Sequence, residues 1–282
     1  MSRDTLISVS NLTPHMPEHY MLSALMRLWR EKGFQVECAD TYSHDADVCI
    51  LHHDQTRLNR SALANAPDGA AVLNGNVLDI SKTYISVLRT SEGDDWNGPV
   101  IVKTDLNHFG FPEGARSEQS GLMSALCGKL RRRLSHRSWR LARQLPPGHY
   151  PVLQCKDDVP SWVWKDESLI VEKFLPERTE DGLYGVRGWI FFGDKEYAYR
   201  NLATDPLVKV ATTQRHEFFS DIPENLRVIR EKMGFDYGKF DYVEHDGKAF
   251  LLDANKTPSF GHGDATDSPR VRLLAEGIEA YL

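Results

Sequence analysis

The chain has 282 residues, 41% of them hydrophobic and 26% charged, with a formal net charge of −6. These values suit a globular protein with one large core or two modest ones. They exclude nucleic-acid binding by overall charge, while a local basic patch stays compatible with them.

Residues 6–10 read as a short apolar strand, and residues 1–7 hold no long apolar stretch. No segment approaches the roughly 18 apolar residues of a membrane span, so a cytoplasmic protein without a membrane partner is expected. Met21, Leu22, Leu25, Met26, Leu28 and Trp29 recur at helical spacing, both methionines reading as core, and Gly33 supplies a stop. Gln35–Ala39, 47–52 and 71–75 follow as extended segments. Strands alternating with helical stretches predict a parallel sheet, and residues 1–90 are expected to form a small doubly wound α/β lobe. His52-His53-Asp54 falls at the carboxyl end of a buried strand, where such sheets place ligands. It reads as a substrate contact or as a capped strand end with surface histidines. Cys38, Cys49, Cys127 and Cys155 are scattered without C-x-x-C spacing and read as reduced, mostly buried thiols.

The pattern changes after Trp96-Asn97-Gly98-Pro99. Residues 100–103 are a strand ending on Lys103, and residues 104–114, with Asn107, Gly110, Pro112 and Gly114, are a loop. Residues 121–144 read as a helix whose second half is basic, with Lys129, Arg131, Arg132, Arg133, Arg137, Arg140 and Arg143. That stretch is a solvated face or a docking surface for an acidic partner, a carrier or RNA. Trp162 and Trp164 flank Val163 as in a packed strand or a contact between lobes. Antiparallel strands are expected at 168–175, 186–192 and 196–200, the last two joined by Gly193-Asp194-Lys195. A helix over 223–232 with Pro223 in its first turn, a hairpin of 240–244 with 249–254, and a helix over 268–282 complete the chain.

The last hairpin carries chemistry. Asp253 and Asn255 are two apart on a strand, so their side chains share a face. With Asp246-Gly247-Lys248 as a three-residue loop, residue 245 pairs with 249, and Asp241 sits opposite Asp253. Three oxygen donors then converge, which suits magnesium, a hard cation that keeps waters and takes phosphate oxygens. Lys239 projects to the same side, a cation able to offset charge on a transferring phosphoryl group. A solvated hairpin face without a role is the alternative. G-x-S-x-G, H-E-x-x-H and P-loop patterns are absent from the sequence, so serine-hydrolase and metal-hydrolase readings have no support.

In order, these features resemble the ATP-grasp superfamily. Lys239-Phe240-Asp241 followed by Leu251-Leu252-Asp253-Ala254-Asn255-Lys256-Thr257-Pro258 is similar to its magnesium motif, with Asp253 where glutamate is more usual. Asp79-Ile80-Ser81-Lys82 and Val100-Ile101-Val102-Lys103 resemble the segments that carry two ATP-contacting lysines. Residues 169–175 resemble the interdomain strand whose backbone reads adenine. The likeness spans about residues 75–262. It departs from the family in the 69 residues from Lys103 to Glu172, and in a loop after Lys103 that carries Asn107, His108 and Phe109 rather than a dense glycine run.

The resemblance implies an α/β N-terminal lobe (1–90) followed by an α+β ATP-grasp domain (91–282). That domain would have two lobes holding ATP and a basic helical insertion near 115–150. It implies ATP and two Mg2+ ions as cofactors, the metal on Asp241, Asp253 and Asn255. Lys82 and Lys103 would contact phosphates, and the backbone of Lys173 and Leu175, helped by Glu172, would read adenine. Glu177 or Glu180 would accept from the ribose. Arg187, Arg200 and Lys239 would be the catalytic cations. His108 and His262 are further substrate-contact candidates. The implied reaction is a ligase reaction on a small-molecule or peptide carboxylate, through an acyl phosphate, with an amine or thiol as acceptor. A kinase and a non-catalytic nucleotide-binding protein are the alternatives.

Overall fold

The computed structural model describes residues 5–63, 65–110, 134–146, 148–260 and 268–282. They divide into one unit of Met1–Asp79 with Pro176–Leu282 and another of Ile80–Leu175. Among the described residues, no helix is long and apolar enough to cross a membrane.

The first unit begins with β1 (Leu6–Asn11), α1 (Met21–Glu31), β2 (Gln35–Ala39), β3 (Val48–His52) and β4 (Ala71–Leu73). The strands form a parallel sheet in the order β2-β1-β3-β4. β1 and β3 are buried along their whole length, as strands of a covered parallel sheet should be. Every residue of the expected apolar stripe of α1 is buried, both methionines included. The doubly wound expectation is corrected in one respect: among the described residues, α1 is the one α-helix between these strands. The connections after β2 and β3 are loops with a single 3-10 turn at Arg60–Leu63, because their apolar residues do not recur at helical spacing.

The second unit holds α2 (Lys82–Ile85), β5 (Val100–Thr104), α3 (Trp139–Ala142), β6 (Val152–Leu153) and β7 (Leu169–Lys173). β5 lies between β6 and β7, antiparallel to both. Its core is Val100, Val102, Leu145, Val159, Val163 and Val171, edged by Trp96, Trp139, Trp162 and Trp164. Trp162 and Trp164 therefore do pack, but around a 3-10 turn at Val163–Lys165 rather than on a strand. Of the helix expected over 121–144, residues 121–133 lie outside the described residues, with Lys129, Arg131, Arg132 and Arg133. The remainder is broken at Ser138, which is extended and caps α3 by accepting from the Leu141 N–H.

The first unit resumes with β8 (Glu177–Arg178), β9 (Tyr184–Phe192), β10 (Lys195–Ala203), β11 (Arg215–Phe219), α4 (Glu224–Met233), β12 (Tyr237–His245), β13 (Lys248–Asn255) and α5 (Pro269–Glu276). The strands make an antiparallel sheet, β11-β10-β9-β12-β13, with β8 added to β9. Lys195 already pairs with Phe192, so the β9–β10 turn is the two residues Gly193-Asp194 rather than three. One core joins this sheet to the parallel one: Leu25 and Trp29 of α1 pack with Ile190, Phe192 and Tyr237 and with Val271, Leu274 and Ile278. The Trp29 indole donates to the Ala275 carbonyl at 2.8 Å. Beyond β13 the chain runs back along the start of α1, where Ser259 bridges Tyr20 and the Met21 N–H donates to the Pro258 carbonyl.

The β12–β13 hairpin differs from its expected register. His245 pairs with Lys248, leaving a two-residue turn, Asp246-Gly247. Both turn residues have positive φ, +50° and +73°, the combination that matches the right-handed twist of paired strands. The register then shifts by one between Asp241 and Tyr242: Tyr242 pairs with Leu251 and Asp241 with Asp253, so Leu252 is the extra residue of a β-bulge. The shorter turn and the bulge cancel, and the expected pairing of Asp241 with Asp253 is reached by a different route.

Candidate active site

The hairpin sets four polar side chains on one sheet face. Asp241 is opposite Asp253, and Lys239 is opposite Asn255. The Lys239 Nζ lies 3.0 Å from Asp241 Oδ1, both side chains being partly exposed. Asn255 Oδ1 accepts from the Thr257 N–H at 2.8 Å and from the Thr257 hydroxyl at 3.3 Å, which fixes the amide. Burial works against the Lys239 charge, but Asp241 and the Tyr199 hydroxyl outweigh it and hold the ammonium pKa above its ordinary value. Two carboxylates and an amide are hard oxygen donors, so this set fits magnesium. No cluster of three His, Cys, Asp or Glu side chains occurs among the described residues; the third donor here is an amide.

Arg187 and Arg200 are not part of that group. Asp241 pairs with Gly188, and its neighbour Tyr242 pairs with Arg187, which in turn pairs with Arg200. Adjacent residues of a strand point to opposite faces, so both arginines are turned away from the carboxylate pair. There they enclose Glu177. Arg187 Nε donates to both its oxygens, at 3.0 and 2.9 Å, Arg200 donates at 3.2 Å, and the Glu244 N–H adds 2.9 Å. Arg187 also meets Glu244 at 3.0 Å and Arg200 meets Glu217 at 2.7 Å. Burial alone would raise the Glu177 pKa; the Arg187 hydrogen bonds, the Glu244 N–H and Arg200 outweigh it and keep the carboxyl below its usual range. Glu180 is exposed and lines the same open cavity, of about 570 Å³.

In the second unit, Lys82 opens α2 and is buried, its Nζ donating to Asn107 Oδ1 at 2.9 Å. Lys103 lies on β5 with its Nζ 2.6 Å from Glu172 Oε2 on β7, and both are buried. The Lys173 N–H is donated to the Leu88 carbonyl at 2.8 Å, and its ammonium sits over the Trp96 ring at 5.3 Å. Leu175 closes this unit, half-buried.

Solved structures of several ATP-grasp proteins match nearly the whole chain. A RimK-domain ATP-grasp protein from Sphaerobacter thermophilus is 11% identical, with 98% of this chain and 100% of that one covered at a TM-score of 0.50. The ATP-grasp ligase PsnB, complexed with minimal precursor, is 13% identical, with 98% and 99% covered at 0.54. The macrocyclase MdnC from Microcystis aeruginosa, bound with precursor peptide MdnA, is 10% identical, with 96% and 98% covered at 0.51. The chain has the ATP-grasp fold. No protein-family model and no curated protein matches it.

Within this ATP-grasp fold, the carboxyl edge of the parallel sheet carries a further polar group. His52, opposite Asn11 at the ends of β3 and β1, is fully buried, and neither ring nitrogen has a hydrogen-bond partner among the described residues. Burial first, then His53, His19 and Lys256, lower its pKa to about 3, so the ring is neutral at pH 7. Asp54 accepts from the Tyr20 hydroxyl at 3.0 Å. The histidines expected at a strand end are thus buried rather than on the surface. His262 lies outside the described residues. Sequence reasoning passed over Tyr199, Gly188 and Asn107 as site residues. Gly188 was the one with a signal, a glycine inside an apolar strand, which often marks close approach of another group.

Proposed function

We propose that this protein is an ATP- and Mg2+-dependent ligase that joins a carboxylate to an amine or thiol. What carries the reading is the Asp241–Asp253 pair, with Asn255 and Lys239 beside it on one sheet face, in a chain with the ATP-grasp fold. Asp241, Asp253 and Asn255 would hold magnesium, which when bound neutralises β- and γ-phosphate oxygens during in-line transfer. Lys239, Lys82 and Lys103 would offset the remaining phosphate charge. The Lys173 N–H is engaged, so its carbonyl and the Leu175 N–H are the groups left to read the adenine edge. Glu172, held by Lys103, would sit at the exocyclic amine. Glu180 suits the ribose better than Glu177, whose oxygens are occupied by two arginines. Arg187 and Arg200 are assigned to holding Glu177, because they face away from the carboxylate pair.

The substrate carboxylate oxygen would attack the γ-phosphorus and release ADP. The acceptor would then attack the acyl carbon, losing a proton as phosphate leaves. Small-molecule and peptide carboxylates are both open to this chemistry. ADP release measured across paired carboxylate and amine libraries tests the reading. Asp253→Ala and Asn255→Ala should each abolish turnover; wild-type rates in either variant would remove the proposed metal site. A stable phosphorylated product in place of inorganic phosphate would make the protein a kinase.

A further inference from the structure

The row of side chains that includes Asp241 continues across the sheet. Gly188 is opposite Asp241, and Tyr199 is opposite Gly188. Because Gly188 has no side chain, the Tyr199 ring lies over it: a Cβ at this position would fall 2.6 Å from the tyrosine hydroxyl oxygen. The ring is fixed from its other side by His216, stacked at 5.0 Å and 27°. His216 is itself held, its Nδ1 2.6 Å from Asn201 Oδ1. The hydroxyl end is thereby turned toward β12, which carries Lys239 two residues before Asp241. The Lys239 ammonium lies 6.0 Å from the ring centroid, at the outer limit for attraction to the ring face, so an anchoring role falls to the hydroxyl rather than to the ring.

We propose that Tyr199 is a positioning residue for phosphate binding: reaching across Gly188, its hydroxyl holds the Lys239 ammonium beside Asp241 in the place where the triphosphate is received. The inference rests on the ligase reading above. Lysine is a point charge on a flexible four-carbon stem, so one ionic contact leaves its head free to swing. Asp241 is also the carboxylate that the metal would share, which weakens its hold on the ammonium at the moment nucleotide is bound. Tyr199 is an anchor that does not compete for the metal.

Calorimetric binding of MgATP to the full chain tests this in wild type, Tyr199→Phe, Lys239→Gln and the double variant. Loss of one hydrogen bond to a charged group predicts binding weaker by about tenfold in Tyr199→Phe. In the Lys239→Gln background the same change should leave affinity unaltered, because the anchored group is gone. Lys239→Arg serves as the second background if Lys239→Gln binds below detection; its planar fork reaches Asp241 unaided, so the loss should shrink there too. Wild-type affinity in Tyr199→Phe, or an equal loss in every background, overturns the proposal in favour of simple packing. Failure of the wild-type protein to bind MgATP would instead remove the ligase reading beneath it. Gly188→Ala should reproduce the Tyr199→Phe loss, and its melting temperature separates displacement of the ring from failure to fold.

Discussion

Two glutamates three positions apart, Glu177 and Glu180, are equal candidates for the ribose when read as letters, and the structure separates them by their partners. Glu177 is buried and bound by Arg187, Arg200 and a backbone N–H; Glu180 stands at the cavity wall. Removing the buried charge leaves two guanidinium groups short of a counter-ion, so Glu177→Gln should cost about 3 kcal/mol in a denaturant titration. Glu180→Ala should leave that titration unchanged and weaken ATP binding about fivefold, the worth of one ordinary hydrogen bond. The reverse pattern would return the ribose to Glu177. The charge types at the site were legible in the sequence, as were the spacings of Asp253 with Asn255 and of Lys239 with Asp241. Their partners were not, because ion pairing here is settled by residues far along the chain: Glu244 is remote from Glu177 in sequence and adjacent in space.

At the scale of elements, the strands that could be read were those whose burial is continuous, such as β1, β3, β5 and the apolar half of β9. β11 was missed because Arg215–Phe219 is an edge strand, mostly polar and half-exposed, with no alternation to detect. The hairpin of β12 and β13 shows a subtler limit. A three-residue loop without a bulge and a two-residue turn with one give the same spacing between Asp241 and Asp253, so spacing alone cannot choose between them. Turn chemistry can: Asp-Gly is the dipeptide that tolerates two positive φ values in succession. Gly247 has φ +73°, and a Cβ added there would meet open space, so Gly247→Ala isolates the backbone term. It should destabilise the protein by about 1 kcal/mol without loss of any contact, read as a lower denaturation midpoint at constant slope. An unchanged midpoint would mean that the turn does not need this conformation.

The molecule as a whole is not built in chain order. Residues 1–79 share a core with residues 176–282, and residues 80–175 form a unit of their own between the two in sequence. Trp29 packs on Phe192 and bonds Ala275, while Asn74, itself at φ +59°, accepts from the Asp236 and Tyr237 N–H groups and donates to the Tyr237 carbonyl. A fragment of residues 1–79 would bare the apolar side of α1 and leave Asn74 without those partners. It should show no cooperative thermal transition by circular dichroism; a sharp melt would mean that the parallel sheet is self-sufficient. The same arrangement bears on how the protein is made. Synthesis at about 5–20 residues per second puts roughly 10–40 s between the emergence of α1 from the ribosome and that of β9 and β12, the strands that cover it. For that interval the first third of the protein presents an uncovered row of leucine, methionine and tryptophan to its surroundings, which makes the nascent chain, more than the finished protein, the form that calls for a chaperone.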